Sequence, residues 1–308
     1  MHISSSLALF WGAILLGYAA RRARFVTLTF APQMTRRLAT WVAPPVALLA
    51  MRANEVTRLP VISLPFIGLA VSSASLAPAW WLMRRWRLSK PRAGSWLLSA
   101  FFSNVGFLGA LVAFAVWGER AYGLCTLYFL FFGLGVYTVG YGIGDRYGSS
   151  APVESPGARQ LELWRWTPMV GTLAGVALSW RGVPRPAVLT AINHALIPLM
   201  TAAYLFIVGT TMHMSRVGRF WREGLWMSAI KLVYAPLVGA ALGAWWGYRH
   251  LPDPLVWRVV LLESAMPTAI TSVTLPALFG LDQDFANGLW VITALASMLV
   301  IPLLLWRL

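Results

Sequence analysis

Ten apolar runs, each close to the length that crosses a lipid bilayer, leave these 308 residues few ways to fold. A helix rises 1.5 Å per residue, so about 20 apolar residues span the hydrocarbon core. Runs of this kind cover 3–20, 37–53, 60–83, 95–116, 120–144, 165–181, 187–213, 224–248, 255–279 and 284–306. They are continuous, whereas strands of a membrane barrel alternate apolar and polar residues, which argues against a barrel. Only 11% of the residues are charged, against about 25% in soluble domains. The expected class is an all-α, multi-pass membrane protein.

The formal net charge of +15 raises nucleic acid as a partner, but the basic residues sit in short clusters between apolar runs. That is the pattern of loops on a cytoplasmic face, and it argues against nucleic acid. With the N-terminus outside, the inside loops carry 16 basic residues and the outside segments 7. Both termini are therefore expected on the external side, with the bilayer as the main partner. Arg21, Arg22 and Arg24 follow the first run and no basic residue precedes it, so a cleavable signal peptide is not expected. Trp11, Trp80, Trp81, Trp164, Trp166, Trp245, Trp246 and Trp306 lie near run ends and fit an interfacial belt.

The longest connection, from Asp145 to Trp164, is rich in Ser, Pro and Gly and divides the runs five and five. An odd number of spans per half gives the halves opposite orientation, the arithmetic of an inverted repeat. The expected organisation is a first repeat over 1–144, a cytoplasmic linker over 145–164 and a second repeat over 165–308. Weak correspondences run in the same order in both halves. Pro44-Pro45 centres span two as Ile197-Pro198 centres span seven, and Ser103-Asn104 in span four faces Ser264 to Thr268 in span nine.

Span nine holds the chain's most telling residues. Glu263 interrupts an apolar run that Pro267 and Pro276 also break. An ionisable group at bilayer depth is costly and points to a functional site, and broken helices are tolerated there only against protein or a watery cavity. Asn104 lies ~14 Å into span four and Glu263 ~12 Å into span nine from opposite faces, so both reach the midplane. Two interrupted helices crossing there would gather an amide, a carboxylate and freed backbone groups. Carbonyls and carboxylate suit a cation; half-helix N-termini suit an anionic substrate.

The Asn104-Val105-Gly106-Phe107-Leu108-Gly109 stretch, followed by Trp117-Gly118-Glu119, resembles a motif region of the auxin efflux carrier family. Glu263-Ser264-Ala265-Met266-Pro267-Thr268-Ala269 resembles that family's motif in the penultimate helix. The resemblance implies ten transmembrane helices in a 5+5 inverted repeat, with broken helices four and nine crossing. It implies a scaffold of helices 1, 2, 6 and 7 and a transport domain of helices 3–5 and 8–10. It also implies elevator-type secondary transport of a small organic anion, an auxin-like or dicarboxylate acid, and relates the chain to bile acid:sodium symporters. By that kinship Ser103, Asn104, Glu263 and Met266 are candidate sodium ligands; by its depth Glu263 is a candidate cation ligand or proton carrier, and Thr126 is a further candidate oxygen donor. The short central loop resembles bacterial members of the family, which implies a bacterial inner membrane. Asn104, Gly106, Met266, Pro267 and Thr268 are candidate substrate contacts. Pro267 stands where the symporters carry a glutamine ligand, which puts a second sodium site in doubt.

Other residues read more plainly. Glu263 paired structurally with Lys231 is the alternative to an ion ligand. Lys231 is explained as well by snorkelling to the headgroups as by ion pairing. His194 is expected as a hydrogen-bonded core histidine. Gly239, Gly243 and Gly247 form a small-xxx-small repeat that supports close helix contact and leaves a homodimer open. The scattered histidines, the single Cys125 and the missing phosphate-binding loop give no enzyme, metal centre or ATPase; sodium is the one candidate cofactor ion. Rival functions are sodium-coupled symport of a larger, bile acid-like anion and a membrane ligand sensor that moves nothing.

Overall fold

The computed structural model describes residues 3–27, 29–54, 59–149, 166–212 and 217–308. The expected linker over 145–164 therefore lies, from residue 150 onward, outside the described residues. The described chain is helical throughout; its one pairing of extended backbone is an isolated antiparallel bridge between Ser103 and Thr268. Five of the described helices are long and apolar enough to cross a membrane: Leu64–Arg85, Glu119–Tyr147, Ala187–Thr211, Val217–Trp245 and Gln283–Arg307. Other apolar runs are built from shorter pieces. Span four is split into Lys90–Phe101 and Val105–Trp117, and span nine into Leu255–Ser264 and Thr271–Phe279.

Two compact units form, and neither is a half of the sequence. The first comprises Met1–Leu64, Gly106–Leu130 and Glu162–Met212. Within it the Ile3–Arg22 helix packs along Ala187–Thr211. Glycines set the closeness: a Cβ on Gly17 would lie 2.0 Å from the Phe206 carbonyl oxygen, and one on Gly209 would lie 2.0 Å from that of Ile14. Gly171 and Gly175 bring Thr167–Trp180 equally close to the backbone of Pro44 and Leu48. Backbones approach this way in membranes because small residues leave room for dispersion contacts when water provides no driving force. Pro44 and Pro45 open the Ala43–Met51 helix behind a π-helical turn, Leu38–Val42.

The hairpin of the first unit turns at Gly118, whose φ of 78° and ψ of −166° suit only glycine. Asn54 holds the turn's far side, its amide donating to the carbonyls of Ala50 and Arg120 at 3.2 and 3.0 Å.

The second unit comprises Pro65–Val105, Phe131–Leu161 and His213–Leu308. Its centre is the Lys90–Phe101 helix, which packs against Leu76–Arg85, Tyr141–Tyr147, Thr271–Phe279 and Gln283–Arg307. Trp96 and Phe285 are fully buried there, and the Trp96 indole donates to the Ala79 carbonyl at 2.8 Å. Asp282 caps the Gln283–Arg307 helix by accepting from the Phe285 N–H at 2.9 Å, while its other oxygen pairs with Arg92 at 3.0 Å. Gly239 and Gly243 serve contacts inside the chain. A Cβ on Gly239 would meet the Ser264 side chain at 2.1 Å, one on Gly243 would meet Trp257 at 3.1 Å, and Gly247 is a left-handed turn residue past the helix end. Span five is interrupted by a turn at Phe129–Phe131, followed by a π-helical turn over Val136–Gly140.

A single methyl group separates two kinds of glycine. In an unobstructed helix Gly→Ala stabilises by about 0.5–1 kcal/mol, and Gly142 has nothing within 4 Å of its missing Cβ. Gly142→Ala is expected to keep or raise the melting temperature in detergent. Gly209→Ala is expected to lower it, through an overpacking cost of about 1–3 kcal/mol; equal melting temperatures would contradict the packing described.

Candidate functional site

The site lies where the two interrupted helices of the second unit meet. Lys90–Phe101 stops because Phe102 turns to extended backbone, with φ −84° and ψ 119°. Leu255–Ser264 stops ahead of Pro267, which has no N–H to continue a helix. Each break leaves backbone groups without helical partners, and in lipid an unsatisfied group costs several kcal/mol. The breaks satisfy one another. The Asn104 N–H donates to the Pro267 carbonyl at 2.8 Å, and the Ala269 N–H donates to the Phe102 carbonyl at 3.0 Å. Ser103 and Thr268 sit opposite each other between these two bonds.

Side chains occupy the remaining carbonyls of the broken end. Thr268 Oγ1 donates to the Ser99 carbonyl at 3.2 Å, and Lys231 Nζ donates to the Ala100 carbonyl at 2.8 Å. Lys231 Nζ also donates to Ser103 Oγ at 2.6 Å. The Thr268 N–H in turn donates to Thr293 Oγ1 at 3.3 Å. Lys231 is fully buried, on a π-helical turn over Ile230–Tyr234. It therefore does not snorkel: its ammonium is consumed at the crossing, because the freed carbonyl and the serine hydroxyl replace the water a headgroup position would offer.

The expected site residues divide. Ser103, Asn104, Pro267 and Thr268 are brought together by the bridge and its flanking bonds. Glu263 and Met266 are fully buried in the same unit, the Met266 N–H closing onto the Glu263 carbonyl at 3.3 Å. Gly106 belongs to the π-helical turn Val105–Gly109 that resumes span four, and both Gly106 and Thr126 group with the first unit. Thr126 Oγ1 donates to the Gly123 carbonyl of its own helix at 2.7 Å.

Four residues that sequence reasoning passed over or misplaced form a second polar cluster, in the first unit. Glu119 is buried and accepts from Arg185 at 2.7 Å and from the Asn193 amide; its second oxygen lies 3.3 Å from His194 Nε2. His194 is thus no core histidine: its side chain is 54% exposed and stands edge-on to Phe114. Its apolar run suggested burial, but its helix turns that face outward. Ser99 and Thr293 were likewise missed, since a lone hydroxyl in an apolar helix carries no distinguishing signal. Among the described residues no group of three His, Cys, Asp or Glu side chains could hold a metal ion.

Chemically the crossing combines the buried Lys231 amine, hydroxyls and main-chain dipoles, and Glu263 is buried on the half-helix that ends there. Helical segments restart directly after each break, at Val105 and Thr271, and their N-terminal ends carry positive partial charge. Such an arrangement can bind a small ion or a carboxylate.

No family model matches the chain. It is 26% identical over 228 residues to an uncharacterized transporter of Methanocaldococcus jannaschii, covering 71% of this chain and 70% of that protein. To an uncharacterized transporter of Methanothermobacter thermautotrophicus it is 24% identical over 255 residues, covering 79% and 77%. A Rhizobium meliloti protein provisionally named a malonate transporter is 26% identical over 210 residues, covering 67% and 64%. Together with the long apolar helices, these similarities identify a multi-pass membrane protein related to transporters.

Proposed function

We propose that this protein is a secondary transporter of a small organic anion, a short dicarboxylate such as malonate, with its site at the crossing of spans four and nine. The observation that carries the reading is the Ser103–Thr268 bridge, which ties two broken helices together main chain to main chain. Interrupted helices of this kind supply transporter sites because their ends present fixed dipoles without moving any charge out of water. The resemblance of the two broken stretches to the auxin efflux carrier family, and the malonate named for one relative, support the substrate class. In this reading the ten spans form a 5+5 inverted repeat, the termini lie outside a bacterial inner membrane, and access alternates by an elevator-type motion. Asn104, Met266, Pro267 and Thr268 frame the substrate, and Glu263 serves as the ion-linked acid.

A bound ligand stabilises the folded state by mass action, about 2.7 kcal/mol at one hundred times Kd. Malonate or a close dicarboxylate is therefore expected to raise the melting temperature of purified protein by several degrees, and labelled malonate is expected to enter proteoliposomes. No stabilisation and no flux with any carboxylate of two to six carbons would overturn the reading.

Asn104→Leu keeps the backbone N–H that bonds Pro267 and removes only the side-chain amide. It is expected to cut uptake at least tenfold, equivalent to about 1.4 kcal/mol or more, with the melting temperature in the absence of ligand little changed. Uptake equal to wild type would remove Asn104 from the site.

A further inference from the structure

The crossing already contains a lysine side chain. Lys231 reaches it from a different helix, Val217–Trp245, and its Nζ is bonded to the Ala100 carbonyl at 2.8 Å and to Ser103 Oγ at 2.6 Å. A carbonyl released at a half-helix C-terminus and a neighbouring hydroxyl are the oxygen ligands a coupling sodium ion would take. Here both face an ammonium, and the lysine is wholly shielded from solvent. We propose that the Lys231 ammonium is the resident cation of this broken helix end, filling the position at Ser103 where a coupling sodium would bind, so that the transport proposed above runs without sodium at that position.

Three further observations support the assignment. First, Lys90 and Lys231 are the only lysines among 25 basic residues; all the others are arginine. An ammonium is a compact point charge with three donors, close to a small ion in shape, whereas a guanidinium is a broad plane that suits paired acceptors. The chain uses the compact cation where two single oxygens converge. Second, Lys231 lies within the π-helical turn Ile230–Tyr234. An extra residue in one turn re-aims the side chains around it, and such turns recur at functional sites. Third, the same unit fully buries one acid, Glu263. A second free cation placed against the Ser103 oxygen would meet the ammonium's like charge at close range in a low-dielectric setting, which disfavours it.

The proposal rests on the transport reading for its flux arm and is independent of it in its stability arm. Purified protein is melted in sodium chloride and in choline chloride at equal ionic strength, and malonate uptake is measured in the same two salts. Wild type is expected to melt within one degree in both and to show uptake within twofold. Lys231→Ala is expected to melt lower than wild type, to lose uptake at least tenfold, and to regain part of both when ethylammonium chloride replaces choline chloride. Lys231→Met, which keeps the length and loses the charge, is expected to lose uptake as well. A sodium-specific rise of several degrees in wild type, or uptake that collapses in choline, would overturn the proposal. So would full uptake in Lys231→Met. If the alanine variant fails to fold, the wild-type salt comparison still decides. If wild type moves no malonate in either salt, the transport reading fails, while the melting comparison continues to test the resident cation.

Discussion

Two main-chain hydrogen bonds, Asn104 to Pro267 and Ala269 to Phe102, hold the second unit's centre together. A helix that stops short inside a membrane protein exposes donors and acceptors for which lipid has no partner. Either break alone would be severely destabilising. Paired, each becomes the other's solvent, and the cost of both is met by a short antiparallel bridge. The arrangement also explains why the surrounding hydroxyls and the lysine point where they do. Ser99, Ala100 and Phe102 present carbonyls that the helix can no longer use, and Thr268, Lys231 and the Ala269 N–H take them up.

Legibility followed chemistry. The break at Pro267 could be read directly, because proline removes a donor and excludes the preceding turn of helix. The break at Ser103-Asn104 has no such mark; its depth relative to Glu263 and the motif resemblance of Asn104 to Gly109 singled it out, and its partner became visible through the bridge. Lys231 was conspicuous as a charge in an apolar run, but the distance to its acceptors spans about 130 residues of sequence. Hydropathy therefore could not separate a snorkelling side chain from a buried one. Glu119 was read only as part of a motif, since Arg185, Asn193 and His194 lie far along the chain. Thr126 had the right residue type for an ion ligand, yet its hydroxyl closes on its own helix. The helical class was plain from apolar length, whereas hydropathy alone does not mark the two units, each of which collects segments from both halves of the chain.

The two buried polar clusters have different characters. Glu119, Arg185 and Asn193 form a buried knot next to the Gly118 turn, with the carboxylate accepting from both partners. The crossing instead concentrates charge and main-chain dipoles at points where helices restart, which is the chemistry expected of a binding site. Similarity to transporters from archaea and from Rhizobium meliloti agrees with that contrast. The proposed carrier function joins the crossing's dipoles to a small dicarboxylate, and Lys231 supplies the charge that a free ion would otherwise bring.

The bridge itself can be tested without any substrate. In an antiparallel pair of this type, with hydrogen bonds flanking the opposed residues, the Cα atoms stand about 4.5 Å apart, within the range a disulfide accepts. With the native Cys125 replaced by alanine, Ser103→Cys combined with Thr268→Cys is expected to oxidise quantitatively within the chain under a mild oxidant. Peptide mass spectrometry would detect the linked segments, and Ser103→Cys with Thr274→Cys would serve as the control pair. A 103–268 cross-link formed readily, with the control unlinked, is the result this account predicts. Two free thiols at 103 and 268 after oxidation would contradict it.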